Sequence, residues 1–133
     1  MQKDPSAGPV LAEIAALTAQ VDKLVVSDTL SLSADAPWGD AEVVRRARAH
    51  ARISALKACA QRDLLAYGSH VLMNDLLAHG LVDEVRLLIG NVVLGEGVRT
   101  FEAGLPAPLA LIDERRLAGA DIVMLRYACG SRA

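Results

Sequence analysis

Val10, Ile14, Leu17 and Val21 fall on one face of a helix, so a first helix is expected after a flexible, polar lead-in over residues 1–9. Lys23-Leu24-Val25-Val26 then runs apolar into Ser27-Asp28-Thr29 and predicts a buried strand feeding a loop. Residues 30–42 carry Pro37, Gly39 and several Ser and Asp around a lone Trp38, and read mostly as loop. Ala49, Ile53, Leu56 and Ala60 return at helical spacing and predict a second helix. Asp63-Leu64-Leu65-Ala66-Tyr67 reads as the next strand, stopped by Gly68-Ser69. A third helix is expected to begin there, burying Leu72, Met73, Leu76 and Leu77, with Gly80 placed to end it.

Beyond Gly80 the period changes. Val82 to Leu94 is rich in Val, Leu and Ile and is broken at Gly90-Asn91, which predicts two strand segments with a bend between them. Leu109–Leu117 and Ile122–Ala128 predict two more strands, joined through Ala118-Gly119-Ala120-Asp121 as a hairpin. Alternating strands and helices followed by strands alone imply an α/β fold. The expected sheet is mixed and mostly parallel, with right-handed crossovers and an antiparallel C-terminal hairpin. A single domain over residues 10–129 is expected.

Composition changes this picture only at the edges. With 53% of residues apolar and a single Trp, two Tyr and one Phe, the core must be aliphatic. A net charge of −2 over 133 residues gives no electrostatic reason for a nucleic-acid or membrane partner. No apolar run approaches a membrane span, and Met1-Gln2-Lys3-Asp4-Pro5 has no signal-peptide core. Cys59 and Cys129 are far apart, require no disulfide, and show no spacing that suggests a metal. A cytoplasmic location is the expectation.

The stretch Leu64-Leu65-Ala66-Tyr67-Gly68-Ser69-His70-Val71-Leu72 bears most on chemistry. A strand that ends in glycine just before a helix leaves unpaired backbone N–H groups at the positive end of the helix dipole. Gly68 lets a phosphate approach the backbone, and Ser69 is placed to cap the helix or donate to the ligand. A tight turn with an ordinary cap accounts for the same residues. Ser27, Asp28 and Thr29 end the preceding strand, where ligands gather in open α/β sheets. Two hydroxyls there suit a ribose or its phosphate, and a plain polar loop is the competing reading.

Taken in order, these stretches resemble the C-terminal reductase domain of bacterial riboflavin-biosynthesis deaminase/reductases, the RibD C-terminal family. Lys23 to Leu30 is similar to the family's strand and Ser-x-Thr-Leu turn, and Leu56-Lys57 falls where its helix carries Leu-Lys. Tyr67-Gly68-Ser69 with Leu72 and Leu76-Leu77 resembles its phosphate cradle. The most specific match is Gly80-Leu81-Val82-Asp83-Glu84-Val85-Arg86-Leu87 followed by Val92 to Phe101. The resemblance implies a dihydrofolate reductase-like three-layer sandwich. It also implies hydride transfer from NADPH or NADH to a small, heterocyclic or carbonyl-like substrate. Gly68, Ser69, His70 and Val71 would meet the pyrophosphate. Ser27, Asp28 and Thr29 would lie near the adenosine ribose, and Tyr67 would face the substrate. A homodimer is implied as well. No residue is assigned as a catalytic acid or base.

Three departures refine the expectation. Asp28 stands where the family often has a basic residue, which weakens a preference for the 2′-phosphate and admits NADH as well as NADPH. Tyr67-Gly68-Ser69 replaces the Glu-Gly-Gly of the riboflavin-pathway enzymes, which argues against the riboflavin intermediate as substrate. Nothing before Val10 resembles the family's first strand and Gly-Arg-x-Thr turn, so about the first third of such a domain is expected to be missing. A catalytically silent relative that binds a dinucleotide, or only a partner subunit, is the alternative. Among other residues, Arg45, Arg46, Arg48, His50 and Arg52 read as a solvated helix entry. His70 and His79 read as surface or capping residues, Asp83-Glu84 as a charged strand start, and Trp38 as a lid over the core.

Overall fold

The computed structural model describes residues 8–105 and 108–130. They fall into two compact units that divide between Arg52 and Ile53. Residues 1–7 of the expected lead-in lie outside the described residues, and its last residue, Pro9, already belongs to a helix.

In the first unit α1 spans Pro9–Ala19. Pro9 suits the first helical position because its missing N–H has no partner there in any case. The helix forms as expected, but its apolar stripe is not a core face. Val10, Ile14 and Leu17 are more than half exposed, and no residue of α1 is buried. Burying that stripe takes a broad sheet. Among the described residues the unit has only β1 (Leu24–Val26) and β2 (Glu42–Val44), three residues each, paired in parallel with Val25 opposite Val43.

β2 lies at the end of the stretch read as loop. Its signal, Val43-Val44 behind a charged Glu42, is too short to stand out from a polar background. Parallel neighbours need a crossover, and residues 27–41 supply it as a series of turns. Trp38 sits there at φ 62° and is 54% exposed, so it is no lid over the core. Gly39 follows because a Cβ would stand 2.5 Å from the Ser33 carbonyl oxygen.

α2, Arg46–Cys59, carries the chain across the boundary between units and buries Ala49 and Ile53, as its spacing predicts. Leu56 is half-buried and Ala60 lies exposed beyond the last turn. In the second unit α3 spans His70–Ala78 and buries Leu76 and Leu77. Gly80, at φ +65°, closes it: Gly80 N–H donates to the Leu77 carbonyl and Leu81 N–H to that of Leu76. β3 (Glu84–Ile89), β4 (Leu109–Arg116) and β5 (Val123–Cys129) form an antiparallel sheet in the order β3-β5-β4. The β4–β5 hairpin is the expected one, with Gly119 at φ +75° in its turn and a register shift between Leu111 and Asp113.

The α/β class with an antiparallel C-terminal hairpin is therefore observed, but its parallel share is smaller than expected. Residues 63–67 form no strand, and Leu65 and Tyr67 are 83% and 89% exposed. An extended segment becomes a strand only when a neighbour takes its backbone hydrogen bonds, and none does so among the described residues. Val92–Leu94, the second strand expected after Gly90, is likewise unpaired and exposed.

Candidate functional site

The junction expected to carry chemistry forms in the second unit as a glycine turn running into a helix. Gly68 has φ +75°, a conformation that needs glycine or a rare substitute, and open space surrounds the position a Cβ would take. Ser69 caps α3, its Oγ accepting from Leu72 N–H at 3.4 Å, and its carbonyl accepts from Met73 N–H at 2.9 Å. The N–H groups of His70 and Val71 have no acceptor among the described residues. Two free donors at the positive end of a nine-residue helix, beside a glycine without a side chain, can hold an anionic oxygen. Tyr67 precedes the turn with its ring almost wholly in solvent.

Sequence reasoning missed Asn74, the largest fully buried side chain described, at 2% exposure. Its amide nitrogen donates to the His70 carbonyl at 2.8 Å and to the Thr100 carbonyl at 2.9 Å. Its oxygen accepts from Glu102 N–H at 3.0 Å. An Asn among Leu72, Met73, Leu76 and Leu77 is the available signal, since a polar residue on an apolar face needs partners. Upstream of Thr100, Leu94–Arg99 curl around an open hollow of about 480 Å³ lined by that loop alone.

The Ser27-Asp28-Thr29 turn belongs to the first unit. Ser27 Oγ accepts from Thr29 N–H at 3.3 Å and Leu30 N–H at 3.0 Å, which fixes the turn. Asp28 is engaged rather than free. Its Oδ1 accepts from Arg46 N–H at 2.9 Å, and Arg46 Nε lies 3.6 Å from its Oδ2. The carboxylate thus occupies the positive end of α2, and Arg45 donates to the Asp28 carbonyl. Two members of the basic cluster face this turn, while Arg52 binds Glu42 through two hydrogen bonds of 2.7 Å.

His70 apart, the remaining candidates lie away from this junction in sequence or are held in contacts of their own. Asp83 pairs with Lys57 at 2.6 Å. Glu84 accepts from Arg126 and Arg86, whose guanidinium groups hold its carboxyl down at about 2. These two acids are held in separate ion pairs. His70 is exposed, and His79 Nδ1 lies 2.8 Å from the Asp75 carbonyl at the end of α3. Cys59 and Cys129 are free thiols.

The fold is mixed α/β, with a glycine turn running into the start of a helix. The chain belongs to the RibD C-terminal domain family, whose sequence pattern matches residues 3–121. The fold is shared with the crystal structure of a protein from Shewanella sp. PV-4 assigned to riboflavin biosynthesis. The TM-score is 0.67 at 17% identity, over 92% of this chain and 70% of that one. A search of curated protein sequences gave no match. Among the described residues no helix is long and apolar enough to cross a membrane.

Proposed function

We propose that the chain is an NAD(P)H-dependent reductase acting on a small, heterocyclic substrate, with the dinucleotide pyrophosphate seated at the start of α3. The observation that carries this reading is the pair of unpartnered N–H groups of His70 and Val71 beside Gly68. The nicotinamide supplies the hydride when bound, and the chain's own part is to bind, orient and exclude water. Gly68 keeps the approach open, Ser69 fixes the first turn, and the exposed Tyr67 ring offers a stacking surface for a planar substrate. The Ser27-Asp28-Thr29 turn keeps its proposed role at the adenosine ribose. There the Asp28 carboxylate favours NADH or weak discrimination. A cytoplasmic location and a homodimer complete the reading.

Calorimetric titration with NADH and NADPH tests it. Gly68→Asn retains a residue that tolerates positive φ while adding a side chain at the cradle. Affinity should fall at least about tenfold, the loss of one good hydrogen bond to a charged group. Unchanged affinity in a folded Gly68→Asn variant places the pyrophosphate elsewhere. The runner-up reading, a catalytically silent relative that binds a dinucleotide or only a partner subunit, draws on the exposed Leu65, Val93 and Leu94. Dinucleotide binding without turnover of any heterocycle would favour its first form, and no dinucleotide binding its second.

A further inference from the structure

We infer that Asn74 is a positioning residue for the anion cradle and couples it to the Thr100–Glu102 segment. This rests on the pyrophosphate reading above. The His70 carbonyl that receives the Asn74 amide at 2.8 Å belongs to the same peptide unit as Val71 N–H, one of the two free donors. A peptide group is planar, so fixing its oxygen fixes the direction of its N–H. Donation to the oxygen also polarises the unit and makes that N–H a better donor. The same amide nitrogen donates to the Thr100 carbonyl at 2.9 Å, and the side-chain oxygen accepts from Glu102 N–H at 3.0 Å. Thr100 and Glu102 are thereby tied to the first turn of α3 through one buried group.

The energetic case is one of necessity. A side chain 2% exposed must satisfy its polar atoms inside the protein, and Asn74 does so with three bonds. A leucine would fill the space, as its neighbours Leu76 and Leu77 do, so packing alone does not call for an amide. What the amide adds is the join between a loop and the peptide that carries Val71 N–H. Occupancy of the cradle should therefore be felt at Glu102, and loss of the join should be felt in the cradle.

Asn74→Asp is the discriminating variant. A protonated Asp can still donate one hydrogen bond and accept another. An ionised one donates none and sets its charge against the His70 and Thr100 carbonyl oxygens. The titratable and charged groups on the two segments that meet there are His70 and Asp75 on α3, His79 just after it, and Arg99 and Glu102 on the loop. The wild type shares them all, so the variant-to-wild-type ratio isolates position 74.

Dissociation constants for NAD⁺ and NADP⁺ are measured from pH 5 to pH 8 by calorimetry, with urea stability in parallel. Burial raises the carboxyl of an Asp at position 74, and the expected result is a ratio of about tenfold where that Asp is ionised, closing towards one as the pH falls. A ratio near one at every pH in a folded variant overturns the inference, because a merely structural Asn74 changes stability without changing affinity. If the wild type binds neither dinucleotide, the pyrophosphate reading itself fails. If Asn74→Asp does not fold, amide exchange in the wild type decides. Glu102 and Val71 amides should gain protection with a common midpoint on NADP⁺ or NAD⁺ addition. Protection at Val71 with none at Glu102 overturns the coupling.

Discussion

The Lys57 ammonium donates to the Asp83 carboxylate at 2.6 Å and to the Leu81 carbonyl at 2.9 Å, fastening the last turn of α2 to the entrance of β3. Two stretches that carry the family resemblance, Leu56-Lys57 and Leu81-Val82-Asp83, are thus one contact in space. Asp83 is mostly exposed, so the ion pair alone contributes little, and the part-buried bond to the carbonyl contributes the rest. Lys57→Met keeps the stem and removes the charge. It should lower stability by about 1 kcal/mol. The urea midpoint reads this directly, and an unchanged midpoint would mean that the contact adds nothing net.

Glu84 gives a pH prediction of definite sign. Hydrogen bonds from Arg126 and then Arg86 bring its carboxyl from 4.5 to about 2 in the fold. A carboxylate depressed in the folded state stabilises fully above its unfolded value. That contribution disappears as pH falls through the folded value. Arg86 and Arg126 are also paired directly across β3 and β5, so Glu84 separates two like charges. Glu84→Gln should therefore be less stable than the parent at pH 7. The gap should close between about pH 4.5 and pH 2. Thermal melts at four or five pH values test this, and a gap that persists unchanged to pH 2 would assign the loss to packing.

Asp28 should act as a cap before it acts on cofactor choice. Removing the acceptor for Arg46 N–H in Asp28→Ala should cost about 1 kcal/mol. Asp28→Asn retains an acceptor oxygen and should recover most of it. Both variants free the Arg46 guanidinium and should shift the NADP⁺-to-NAD⁺ affinity ratio towards NADP⁺. The shift should be about 1 kcal/mol or less for such an exposed charge. A ratio unmoved in both variants would place the 2′ position away from this turn.

Association should show in light scattering coupled to gel filtration. Among the described residues β3 and β4 each pair on one side only in the three-stranded sheet. Val92, Val93, Leu94 and Val98 are 69%, 96%, 80% and 78% exposed, a density of apolar side chains that a soluble monomer rarely keeps in water. A homodimer that buries part of the C-terminal half is expected. Val93→Lys should shift it towards monomer. A monodisperse monomer of the parent chain across the micromolar range would remove the basis for this.

The sequence by itself determined the elements whose signals are local. Helical spacing placed α2 and α3, with Ala49, Ile53, Leu76 and Leu77 buried as expected. Glycine ended α3, and the hairpin at Gly119 joined two long strands. The turn at Gly68 was legible too, because glycine, a capping serine and a helix leave little choice of backbone. Tertiary structure decided the rest. Residues 63–67 have strand chemistry but no ladder, since pairing depends on a neighbour and not on the segment. The stripe of α1 is apolar but uncovered for the same reason: burial is a property of two surfaces. β2 became a strand on the strength of β1 beside it. Asp28 read as a charge that weakens a phosphate site, but in the fold it caps α2, eighteen residues along the chain. Asn74 gave no sign of its two distant partners, which lie twenty-six and twenty-eight residues away. Periodicity reports which face a side chain takes, whereas a hydrogen bond between distant segments exists only once the chain has brought them together.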